Sequence, residues 1–64
     1  MKPKLQDVRK ELRIKQVELM QMTGIVYNKI SMIENGWMNP TEEEKILFSK
    51  ALKTPVNKLF PKEK

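Results

Sequence analysis

Sixty-four residues with a formal net charge of +5 make one small domain, with too little interior for a deep catalytic cleft. With neither cysteine nor histidine, the chain has no disulfide staples, no zinc site of the usual kind and none of the common nucleophile–base pairs. The positive charge favours polyanions, either nucleic acid or an anionic membrane surface. A membrane role is disfavoured, because no apolar run nears the roughly 20 residues of a spanning helix, and MKPKLQDVRKEL lacks the apolar stretch of a signal peptide.

Apolar residues recur at helical spacing along the whole chain, and no segment alternates as a strand would. The first helix follows Pro3 and Lys4 and presents Leu5, Val8 and Leu12 inward. Ile14 and Lys15 lead into a second helix from Gln16 to about Thr23, burying Leu19 and Met20. Lysine offers no acceptor at the cap, but Ile14 and Leu19 stand at the positions of a hydrophobic staple and Glu18 at the third helical position. Gly24 then ends the helix in the left-handed conformation, and Ile25 plugs the angle before a third helix.

That third helix runs from Val26 or Tyr27 to Glu34, with Ile30 and Ile33 inward and Asn35–Gly36 as its stop. Thr41 and Glu44 form a capping box for a fourth helix. It turns Phe48, Ala51 and Leu52 to the core and ends before Thr54–Pro55, since the residue before proline avoids the α region. A last short helix from Pro55 buries Val56, Leu59 and Phe60. The predicted fold is all-α, five short helices around one core, with a single domain over residues 1–64 and a short basic tail at 61–64.

The run Gln16, Leu19, Gly24–Ile25, Ile30–Ser31, Glu34, Gly36, Pro40, Leu52 and Leu59–Phe60 resembles the lambda-repressor-like, Cro/Xre-type helix-turn-helix domain. The resemblance covers about Leu5 to Phe60, with the motif at about 16–35. Departures from the family pattern are Met20, where a small residue is usual, and Val26, which cannot cap the third helix as serine or threonine would. Lys15, Lys45 and Ser49 also depart from the usual residue types.

The resemblance implies double-stranded DNA as partner, bound by a homodimer on a roughly palindromic operator with the third helix in the major groove. Tyr27, Asn28, Ser31 and Met32 would face the bases. Asn28 suits adenine, whose N6 and N7 an amide bonds together. Gln16 at the start of the second helix would hold a phosphate, with Lys15, Lys29, Asn35, Trp37 and Asn39 as further backbone contacts. For Trp37, a ring covering the edge of the core is the preferred reading. Arg9 and Glu34 match positions that form a structural ion pair in the family.

No enzyme activity is expected. Glu42, Glu43 and Glu44 are the only dense acidic cluster, and consecutive helical residues do not converge on one ion. No cofactor, metal or small-molecule ligand is implied. The resulting expectation is a cytoplasmic, nucleoid-associated transcriptional regulator, with repression by blocking polymerase as the simplest mode. Two rivals stand beside it: a protein-interaction module such as an antitoxin or bridging factor, using Leu47, Trp37 or Phe60 as an apolar patch, and a domain in which Met20 and Val26 disable specific reading and leave weak nonspecific DNA binding.

Overall fold

A computed structural model of the chain describes residues 3–61. Five helices follow in order: α1 Leu5–Glu11, α2 Gln16–Thr23, α3 Tyr27–Glu34, α4 Glu42–Leu52 and α5 Val56–Leu59. Most of the predicted tail, residues 62–64, lies outside the described residues.

Among the described residues, nine side chains make the core: Leu5, Val8, Leu19, Ile25, Ile30, Ile33, Phe48, Leu52 and Leu59. They come from all five helices and from the turn between α2 and α3, so no helix is a dispensable addition. Ile14, Met20, Ala51 and Phe60 pack around them from partly buried positions. Phe48 and Phe60 meet as tilted rings with centroids 6.0 Å apart, a favourable aromatic geometry. The Lys4 N–H donates to the Leu59 carbonyl at 2.8 Å, closing the first element onto the last. Val56, predicted to be buried, is only half-buried.

Leu12 departs from the predicted pattern. It is 48% exposed, because α1 ends at Glu11 and Leu12 sits outside it as the C-cap. Arg13 then adopts a left-handed conformation at φ 61°, and the chain reverses so that the Ile14 N–H returns to the Arg9 carbonyl at 3.0 Å. The reversal carries Ile14 against the core where Leu12 was expected. Helical spacing continued one residue too far, since a non-glycine left-handed residue has no sequence signature as clear as Gly24.

The helix starts differ in how they are secured. Thr41 caps α4, accepting the Glu44 N–H at 3.1 Å while the Glu44 carboxylate accepts the Thr41 N–H at 2.9 Å. At α2 only half of that arrangement exists: the Glu18 carboxylate accepts the Lys15 N–H at 2.7 Å, and Lys15 has no side-chain acceptor to return the bond. At α3 no side chain caps the helix, although Val26 has the extended backbone of an N-cap residue. At the far end of α4, Lys53 takes the left-handed conformation at φ 51°. Ser49 Oγ donates to the Thr54 carbonyl at 2.6 Å, and Thr54 Oγ1 donates to that of Leu52 at 2.9 Å, binding the turn before α5.

Candidate nucleic-acid interface

The turn between α2 and α3 fixes how far α3 stands out from the molecule. Gly24 takes φ 80° and its N–H closes onto the Met20 carbonyl at 2.7 Å. Nothing lies within 4 Å of where a Cβ would stand there, so the turn needs glycine for its backbone angle and not for space. Thr23 stitches the same turn: its hydroxyl donates to the Leu19 carbonyl at 2.8 Å and accepts the Ile25 N–H at 3.1 Å. Sequence reasoning gave Thr23 no role, and its place just before a helix-ending glycine is the one local clue.

The C-terminal end of α3 is anchored from below. Arg9 Nε donates to Glu34 Oε2 at 2.6 Å and Arg9 Nη2 to Glu34 Oε1 at 3.1 Å, a two-point contact between side chains only 8% and 1% exposed. Arg9 Nη1 also donates to the Ile14 carbonyl at 2.7 Å, tying in the loop between α1 and α2. Gln16 Nε2 donates to Glu34 Oε1 at 2.9 Å, so Glu34 gathers donors from α1 and α2 at once. Among the described residues no buried side-chain nitrogen or oxygen lacks a partner. The buried charges are therefore fully compensated, which is the condition for tolerating them in a core.

The outer face of α3 follows from its inner one. At about 100° per residue, Ile30, Ile33 and Glu34 share the buried arc, while Tyr27, Ser31, Asn28 and Met32 fall together in the arc beside it, Tyr27 bordering Glu34. Tyr27 and Asn28 are exposed, and Ser31 and Met32 are half-buried. The Ser31 carbonyl accepts both the Asn35 N–H at 3.0 Å and Asn35 Nδ2 at 2.9 Å, and the Met32 carbonyl accepts the Trp37 N–H at 2.9 Å. Asn35 thus secures the helix end, with its side-chain oxygen uncommitted in these bonds.

The remaining candidate backbone ligands occupy varied settings. Lys15 and Asn39 are exposed. Gln16 spends one amide hydrogen on Glu34, and its NH2 group carries a second. Trp37 is 78% exposed, so its ring does not cover the core edge as the sequence reading preferred. The loop that carries it leaves α3 through Gly36 at φ 78°, and Ile33 and Phe48 are fully buried although the ring stands in solvent.

Lys29 lies on the shoulder of α3 next to the buried arc and reaches α4, where its Nζ stands 2.5 Å from Glu44 Oε2. The Lys29 ammonium, and after it the Thr41 N–H, hold the Glu44 carboxyl below the ordinary carboxylate range. Sequence reasoning assigned Glu44 to the cap alone. Its partner is fifteen residues away by number, in another helix.

Among the described residues, no helix is long and apolar enough to cross a membrane, and no three acidic side chains cluster to hold a metal ion. The chain matches no protein-family model, and no curated protein sequence matches it. Among solved structures it is similar to the P22 c2 repressor protein, whose crystal structure was determined in complex with synthetic operator 9T in the presence of Tl+. The two chains are 30% identical with a TM-score of 0.85, and the match covers 94% of this chain and 91% of that one.

Proposed function

The chain belongs to the lambda-repressor-like helix-turn-helix family, and from that premise we propose that it is a sequence-specific DNA-binding transcriptional regulator. It acts as a homodimer on a roughly palindromic operator, represses by occluding polymerase, and works in the cytoplasm at the nucleoid. The observation that carries this reading is the polar, uncapped end of α3, with Tyr27 and Asn28 exposed on a helix whose other end is buried.

A helix projecting from a rigid support enters the major groove, where its N-terminal residues come nearest the base edges. Asn28 is the principal base reader, through paired bonds to adenine. Tyr27 offers its ring to a thymine methyl or its hydroxyl to a phosphate. Ser31 and Met32 follow one turn along. Lys15, Gln16, Asn35, Trp37 and Asn39 hold the sugar-phosphate backbone on both sides of α3 and set its register. Ile46 and Leu47, adjacent and exposed on α4, are available to a second copy of the chain.

A dimer suits the size of the module, because one α3 spans few base pairs and two half-sites about one helical turn apart double the readout. The test is selection from random duplexes, followed by competition. The proposal requires an enriched motif with two related half-sites, bound at least roughly 10³-fold more tightly than random DNA. Selection that enriches no sequence would sink it.

A further inference from the structure

Lys29 is a cation in the helix proposed to enter DNA, and its position suggests a phosphate ligand. Its surroundings argue for a different task. About 100° per residue places it about 200° round from Tyr27, on the border between Ile33 about 40° to one side and Met32 about 60° to the other. Its side chain is 35% exposed and its ammonium is 2.5 Å from a Glu44 carboxylate that is itself 14% exposed.

That carboxylate is not free to follow Lys29 elsewhere. Glu44 sits at the third position of α4, and its other oxygen accepts the Thr41 N–H at 2.9 Å. The Thr41 hydroxyl in turn accepts the Glu44 N–H at 3.1 Å. The capping box holds the acid independently of Lys29, and Lys29 reaches it across the gap between α3 and α4.

We propose that Glu44 is a positioning residue that holds Lys29 as a strut between α3 and α4 and withholds it from DNA phosphates. The inference rests on the reading that α3 enters a duplex. A phosphate approaching Lys29 Nζ must also approach the Glu44 carboxylate, so the pair presents DNA with little net charge. Drawing Lys29 away would leave that carboxylate uncompensated beside a polyanion. The strut also gives the shoulder of α3 a second attachment, separate from the anchor at Glu34.

The test is the salt dependence of binding to random-sequence duplex DNA, measured with the full chain and with K29M, E44Q, E43Q and K29M/E44Q. Each phosphate contact steepens the slope of log affinity against log salt by about 0.9, equivalent to a further loss of about 3.5-fold between about 50 and 200 mM salt. Glutamine is accepted at the third position of a capping box, so E44Q frees the lysine while keeping the start of α4. E43Q removes an exposed carboxylate from the same turn without touching Lys29.

The expected result is a K29M slope no steeper than that of the unaltered chain, since its Glu44 is left uncompensated, and an E44Q slope steeper by about 0.9. E43Q leaves the slope unchanged, and K29M/E44Q returns it to the starting value. A K29M/E44Q slope shallower than that of the unaltered chain by about 0.9 would show that Lys29 already contacts a phosphate, overturning the inference alone. The same conclusion follows if E44Q behaves as E43Q does. If the unaltered chain shows no salt-dependent binding to duplex DNA, the DNA reading falls and the inference falls with it.

Discussion

The two ends of α3 are built on opposite principles. At its C-terminal end Glu34 is buried beneath three donor groups from Arg9 and Gln16. At its N-terminal end Val26 offers the backbone no cap, and Tyr27 and Asn28 stand in solvent. The helix is held where it meets the domain and left open where the proposed ligand would arrive. Rigid support at one end and unsatisfied polar groups at the other let contacts form without first breaking internal ones.

The largest effect is expected from breaking the held end. Arg9→Ala leaves Glu34 buried and uncompensated, a change that costs about 3–5 kcal/mol where an ion pair is buried. A core of this size supplies only about 3–5 kcal/mol in all, so the variant is expected to be largely unfolded in circular dichroism at 25 °C. A double-mutant cycle with Glu34→Ala should then show strong coupling, because removing both charges abolishes the uncompensated one. Additive losses would mean that the two side chains do not act as a pair.

A smaller effect is expected from closing the open end. Val26 already has the extended backbone of an N-cap at φ −60° and ψ 147°. Val26→Thr adds a hydroxyl of nearly the same shape that can accept a free N–H of the first turn. A gain of about 1 kcal/mol is expected, read as a rise in Tm of about 4–8 °C. An unchanged Tm would mean that these N–H groups are already satisfied.

The smallest effect concerns the shoulder of α3 at low pH. The Glu44 carboxyl is held below its ordinary range by Lys29 and the Thr41 N–H. Its contribution is therefore fully present above the unfolded value of about 4.3 and is lost as pH falls through the lower folded value. Thermal unfolding should find E44Q less stable than the unaltered chain at neutral pH, with the gap narrowing in acid. A gap that stays constant with pH would assign the loss to the cap and not to the charge.

Much of this architecture is legible in the sequence because its signals are local. Gly24 ends α2 through its own backbone freedom, Thr41 and Glu44 mark α4 three residues apart, and the three-residue spacing of Ile30 and Ile33 orients α3. What escaped depends on contacts distant in sequence or on conformations without a residue signature. Leu12 is displaced by the left-handed Arg13. Gln16 turns to the Glu34 carboxylate that Arg9 also binds, and Glu44 serves two partners although the cap alone accounts for its place in the sequence. The exposed ring of Trp37 reflects a core complete without it, which composition does not reveal.

The face of α3 was likewise predictable from periodicity, but which of its side chains remain free was not. Asn28 stays exposed, with its full amide available, whereas Lys29 is engaged by a neighbour. Asn28 therefore carries the proposed readout more directly than any cation in the helix. The decisive measurement is the binding of Asn28→Ala to the selected operator and to its single-base variants. The account predicts a loss of about 1–3 kcal/mol on the operator and relaxed preference at one base position in each half-site. Equal weakening on every duplex, with all base preferences intact, would contradict it.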